Sequence, residues 1–141
     1  MKLMLPFFLL LFLSSCAVKQ QVVTPEVTVD REVAIPQISP RQALSAIESD
    51  TLLLDVREPA ELAELRYRVD NQLHIPLSEL AQRTDEIPRD RPIIVACHSG
   101  GRSTRVIEQL RAEGFDLLIN LEGGMRAWVE EGLPVISPDH E

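Results

Sequence analysis

The sequence predicts a three-layer α/β/α fold with a mostly parallel central sheet, and three observations carry that reading. Continuous apolar runs at residues 51–56, 93–96 and 117–121 have strand length and lack the alternation of a half-solvated sheet. Segments with helical spacing separate them, and strands that alternate with helices pair in parallel beneath helices on both faces. The chain has 141 residues, 45% of them apolar, which is material for one ordinary packed domain.

The first fifteen residues read as a secretory signal. Met1-Lys2 gives a positive start, residues 3–13 are an apolar run of eleven, and Leu13-Ser14-Ser15-Cys16 is a small-residue exit. The run is shorter than the ~20 residues that a spanning helix needs. Cys16 is either incidental beside an ordinary cleavage site or the modified residue of a lipoprotein. The Leu-Ser-Ser-Cys string resembles a bacterial lipobox, which implies cleavage before Cys16 and a diacylglyceryl group on its thiol. Several acyl chains hold a protein to a bilayer durably, as one chain does not. By similarity to sorted lipoproteins, Ala17 implies the outer membrane of a Gram-negative bacterium, with the domain facing the periplasm. Residues 16–32 contain Pro25 and read as a tether of at most ~55 Å. Val22, Val27, Val29 and Val33 could instead form a fragment of strand.

The domain is placed at residues 33–137, with 138–141 as a tail. Ser39-Pro40-Arg41-Gln42 is a helix start, with Ser39 as N-cap, Pro40 in the first helical position and Gln42 closing a capping box. Ala43, Leu44 and Ile47 supply its buried face. A strand ending at Asp55 precedes a helix over 58–65 with Pro59 near its start. Residues 72–76 form a further apolar segment, and 78–83 a short helix. The strand at 93–96 leads through a loop into a helix over 103–112, where Val106, Ile107 and Leu110 share one face and Gly114 is the C′ residue. A strand at 117–121 and a helix at 124–131 follow. There is no internal repeat and no second domain.

Charge and composition exclude several functions. With 14 basic residues against 22 acidic ones, the net charge of −8 disfavours non-specific nucleic-acid binding. Lys2 and Lys19 are the only lysines, and neither lies in the domain, so Schiff-base chemistry and a P-loop are excluded there. With Cys16 capped by lipid, Cys97 has no intramolecular disulfide partner. An unpaired thiol in an oxidising compartment is a liability unless it is used.

The chemistry concentrates at Cys97-His98-Ser99-Gly100-Gly101-Arg102-Ser103, where a lone thiol ends an apolar strand, meets a glycine pair and is followed by an arginine opening a helix. Such a turn aims backbone N–H groups at one atom, and the helix N-terminus favours an anion there. A thiol so placed is expected to be a thiolate near neutral pH, hence a nucleophile. Free cysteines are mostly small buried hydrophobes. A packing cysteine, however, needs neither two glycines nor an arginine downstream.

This loop resembles the active-site loop of the rhodanese (thiosulfate sulfurtransferase) family, usually Cys-Arg-x-Gly-x-Arg-Ser/Thr, and Cys97, Gly100, Arg102 and Ser103 carry over. The similarity extends to Leu54-Asp55-Val56-Arg57-Glu58 upstream, and downstream to Leu121-Glu122-Gly123-Gly124-Met125-Arg126-Ala127-Trp128 and Gly132-Leu133-Pro134-Val135. It implies a rhodanese-like fold and a two-step transfer without metal or other cofactor. The Cys97 thiolate takes a sulfane sulfur from a donor such as thiosulfate, and the resulting persulfide yields it to a thiol, cyanide or a protein acceptor. Loop N–H groups between His98 and Ser103 would stabilise the persulfide, and Arg102 would add a full charge and brace the loop. Ser103 is read as a helix-start or loop hydrogen bond. Asp55 and Arg57 are implied neighbours of the loop, more as a salt bridge anchoring it than as catalysts. Trp128 and Met125 are read as core or pocket wall.

Three departures from the family pattern stand out. His98 replaces an arginine, so a permanent charge becomes a titratable one. Gly101 is expected to loosen the loop. The segment from Tyr67 to Pro76 lacks the glycines and first histidine of its family counterpart; His74 is read as packed or exposed, and with His140 in the tail no zinc site is expected. Cysteine phosphatases place five residues between cysteine and arginine where this chain has four, a ring too tight for phosphate. A different class of reading remains: a membrane-anchored, non-catalytic module that binds a persulfide or senses redox state, favoured by the His98 exchange.

Overall fold

The computed structural model describes residues 34–137. The signal, Cys16, the tether with its alternative strand, and the tail with His140 lie outside the described residues. In chain order the elements are β1 (Gln37–Ile38), α1 (Pro40–Glu48), β2 (Leu52–Asp55), α2 (Pro59–Glu64), β3 (Arg66–Tyr67), β4 (Gln72–His74), α3 (Leu80–Arg83) between two 3-10 turns, β5 (Ile93–Ala96), α4 (Gly101–Ala112), β6 (Leu118–Leu121), α5 (Gly124–Glu130) and β7 (Val135–Ile136). Five strands form one sheet in the order β1-β6-β5-β2-β4, every pairing parallel, while β3 and β7 make a separate antiparallel pair.

The apolar strands carry a period of two that only burial on both faces reveals. Leu52, Leu54, Ile93, Val95 and Leu118 turn toward Val106, Ile107 and Leu110 of α4 and Leu80 of α3. Leu53, Ile94, Ala96 and Leu121 turn the other way, toward Ala43 and Ile47 of α1 and Met125 and Trp128 of α5. Three layers result, as the alternation of strands and helices predicts. At the start of α1 both the N–H and the hydroxyl of Ser39 reach Gln42 Oε1, at 3.4 and 2.9 Å. Gly114, at φ +87, stops α4.

Three features were not read from the sequence. β1 and the β3–β7 pair have two residues per strand, too few to show periodicity. The segment around residues 78–83 is a longer succession of 3-10, α and 3-10 turns, Leu77–Glu79, Leu80–Arg83 and Thr84–Glu86. The helix after the cysteine starts at Gly101, two residues earlier than its spacing suggests.

That earlier start corrects the expectation for Gly101. Only Gly100 of the pair has left-handed backbone, φ +97, whereas Gly101 lies in α4 and a Cβ there would meet nothing within 4 Å. The loop is pinned from the other side by α5, whose Met125 and Arg126 N–H groups donate to the carbonyls of Cys97 and His98 at 2.9 and 3.0 Å. Gly124 makes this approach possible. Its φ is +56, and a Cβ would collide with the Cys97 carbonyl oxygen and come to 2.8 Å from the His98 carbonyl carbon.

The two glycines therefore respond oppositely in urea unfolding. Gly101→Ala is expected to raise stability by up to about 1 kcal/mol through helix propensity. Gly124→Ala is expected to lower it by about 1–3 kcal/mol, and equal small effects at both positions would contradict the pinned loop.

Candidate active site

Cys97 follows the last residue of β5, and the pleat turns it with Ile93 and Val95 to the α4 side. There the left-handed Gly100 bends the chain back so that its own N–H donates to Cys97 Sγ at 3.1 Å. The carbonyls of Cys97 and His98 are held outward by α5, which leaves loop N–H groups free to face inward. Burial pushes the Cys97 thiol up, but the Ser103 hydroxyl and the N–H groups of Ser103, Ser99 and Gly100 outweigh it and hold the thiol below its ordinary value. The first turn of the twelve-residue α4 adds its partial positive charge to the same spot.

The cysteine is 1% exposed, so the sulfur sits at the base of its loop and not on the surface. Beside it opens a cavity of about 460 Å³, whose wall includes His98, Ser99, Arg57, Glu61, Leu65 and Met125. His98 and Ser99 are exposed at this mouth. Trp128 is in the core, its indole N–H donating to Pro134 O at 2.9 Å.

The full charge expected of Arg102 is paired, and its fork of donors braces the loop against α2. Its guanidinium reaches across to α2 and donates to Glu61 Oε1 and Oε2 at 2.6 and 2.7 Å, a bidentate pair that ties the first turn of α4 to α2. The Arg102 hydrogen bonds bring the Glu61 carboxyl down to about 2. Glu61 also accepts the Glu58 N–H at 3.0 Å, closing the first turn of α2. Nothing in the spacing of the sequence joins residues 61 and 102.

Asp55 and Arg57 stand on the opposite face of the sheet. Asp55 lies beside Ala96 in the register, and its carboxylate takes the Arg57 guanidinium at 2.7 Å with both residues buried. The remaining Arg57 donor goes to Leu65 O at 3.0 Å, and the guanidinium lies 5.1 Å from the Tyr67 ring centroid. His74 contacts the Arg57 carbonyl at 2.8 Å, which requires a proton on its Nε2. These groups brace the wall of the cavity.

Ser103 makes the loop hydrogen bond its position suggests, to Gly100 O at 2.9 Å, but the buried polar chain that continues from it behind the sulfur was not read from the sequence. Ser103 Oγ lies 3.5 Å from Cys97 Sγ and 2.6 Å from Asn120 Oδ1, and Asn120 Nδ2 donates to Gln37 Oε1 at 2.6 Å. Asn120 is 4% exposed, in β6 beside Val95. The signal was present, since Asn120 is the one amide in the apolar run 117–121.

Comparison with known proteins agrees with this geometry. The model of the rhodanese-like domain family matches residues 39–131. A protein of Allochromatium vinosum named sulfurtransferase is 38% identical over 90 residues, 64% of this chain and 82% of that protein. The crystal structure of a rhodanese-related protein from Thermoplasma volcanium has a TM-score of 0.63 and 35% identity, over 72% of this chain and 97% of that one. The solution structure of the polysulfide-sulfur transferase homodimer from Wolinella succinogenes has a TM-score of 0.67 and 31% identity, over 76% and 82%. With its parallel sheet, its cysteine loop at the end of β5 and these matches, the chain belongs to the rhodanese-like domain family.

Proposed function

We propose that the chain is a rhodanese-type sulfurtransferase in which Cys97 carries the transferred sulfur as a persulfide. The observation that carries this reading is the Gly100 N–H at 3.1 Å from Cys97 Sγ, within a loop whose other amides also favour the thiolate. The thiolate attacks the outer sulfur of a donor such as thiosulfate. The donor S–S bond breaks, sulfite leaves with the electron pair, and a Cys97 persulfide remains. A thiophilic acceptor, either a thiol, cyanide or a protein thiol, then attacks the outer sulfur, and Cys97 departs as thiolate. The negative outer sulfur is stabilised by the loop amides, and no step calls for a metal.

The mouth bears on which donors suit the site. Arg102 is matched by Glu61 and Arg57 by Asp55, so both fixed cations near the sulfur are already compensated. His98 stands at the mouth where a permanent positive charge is common in the family. An anion receives help from the loop N–H groups and little from free charge. The same observation favours, as a second reading, a module that holds a persulfide without turnover.

Anchoring through diacylglycerated Cys16, with the domain on the periplasmic side of the outer membrane, completes the proposal. It rests on the leader and the Leu-Ser-Ser-Cys string.

Incubation with thiosulfate is expected to add one sulfur, about 32 Da, to Cys97, and Cys97→Ser is expected to abolish both this mass and cyanide-dependent thiocyanate formation. Turnover in the variant would refute the mechanism, and a stable persulfide without turnover would select the binding module. His98→Arg is expected to raise kcat/KM for thiosulfate about fivefold, close to ~1 kcal/mol for an exposed charge. No gain would remove the account of the mouth. In cells, Cys16→Ser is expected to move the protein from the membrane to the soluble fraction.

A further inference from the structure

The Ser103 hydroxyl has one proton and faces three acceptors: Asn120 Oδ1 at 2.6 Å, Gly100 O at 2.9 Å and Cys97 Sγ at 3.5 Å. A fixed carbonyl decides the direction of the chain behind it. Gln37 Nε2 donates to Ile35 O at 3.2 Å, so its Oε1 faces Asn120 and accepts Asn120 Nδ2 at 2.6 Å. Asn120 Oδ1 is then the atom turned toward Ser103, and it is the shortest of the three contacts.

With the proton on Asn120, Ser103 shows the sulfur a lone pair. The hydroxyl holds the thiol down only when it turns its proton to the sulfur, and the shorter contact to Asn120 works against that turn. If the hydroxyl turns to the sulfur, Asn120 Oδ1 is left without a donor in a buried strand, which is costly. We propose that Asn120 is a positioning residue that competes with the Cys97 sulfur for the Ser103 proton and thereby restrains formation of the thiolate. The inference rests on Cys97 being the reacting sulfur. A thiol whose pKa lies near ambient pH is a better attacking group than one far below it, because nucleophilicity falls with pKa. A restraint on a sulfur already surrounded by amides serves that balance.

The charged and titratable groups around the sulfur and its cavity are the loop residue His98, Arg57 with Asp55, Tyr67 of β3, Arg102 with Glu61 and Glu58, and Glu64 of α2. No hydrogen bond joins any of them to Ser103 or Asn120 among the described residues. Substitution of Asn120 leaves all of them in place.

The test is the rate at which iodoacetamide alkylates Cys97 in the full chain, followed across pH by peptide mass spectrometry. It reads the thiol without sulfur transfer, so a failed sulfurtransferase assay and a failed relay remain separate results. Asn120→Leu, close in shape, and Asn120→Ala are expected to lower the alkylation midpoint by about half a pH unit, roughly threefold more thiolate below the midpoint. Ser103→Ala is expected to raise it, and either Asn120 substitution added to Ser103→Ala is expected to do nothing more. An unchanged or raised midpoint in both Asn120 variants would overturn the proposal, as would the same downward shift without the Ser103 hydroxyl.

Discussion

The site depends on the direction in which one short stretch of backbone faces. At the end of β5 the chain must present N–H groups to a sulfur atom, and a peptide unit that turns its N–H inward turns its carbonyl outward. Outward carbonyls need donors. The first N–H groups of α5, which no helix can satisfy internally, supply them to Cys97 and His98. Two surpluses cancel: the unsatisfied start of one helix and the inverted loop at the start of another. Gly100, Gly123 and Gly124 are the positions where this cancellation uses left-handed backbone.

Charge around the sulfur is arranged by the same economy of partners. Each arginine near the loop is held by a carboxylate, Arg57 on the α5 side of the sheet and Arg102 on the α2 side. Asp55 and Arg57 pair locally at the end of β2, whereas Arg102–Glu61 couples the helix bearing the loop to the helix forming the opposite lip of the mouth. Selectivity for the sulfur's partner then falls to short-range features, the inward amides and the shape of the mouth, and less to long-range attraction. A chain of net charge −8 has little else with which to draw in an anion.

The fold was largely legible because its central strands are buried on both faces and its helices are capped by local chemistry. The runs at 51–56, 93–96 and 117–121 contain β2, β5 and β6, and Ser39 and Gln42 cap α1 as their spacing predicts. What escaped the sequence was set by tertiary contact. β1 exists because β6 offers it an edge, β3 because β7 returns beside it, and neither has enough residues to carry a pattern. The position of Cys97 was legible from its loop, but the neutral pairing of Arg102 was not, because its partner lies 41 residues upstream on another helix. Gly101 shows the converse error: a glycine read as flexible lies inside a helix, where glycine is merely a weak helix former.

The burial of Cys97 bears on the order of the proposed chemistry. At 1% exposure the thiolate is open only to a slender group that can enter along the loop, which suits a terminal sulfane sulfur better than a sulfur embedded in a bulky molecule. Loading changes that. In the proposed persulfide the transferred atom would stand one S–S bond, ~2 Å, away from Sγ, and a sulfur that far from the base of the loop would meet the acceptor under looser steric demands than Sγ meets the donor. The two half-reactions thus impose different shapes on their partners from a single rigid site. For the proposed transfer, small donors and larger acceptors are the pairing that a buried thiol beside an open mouth would accommodate with least rearrangement.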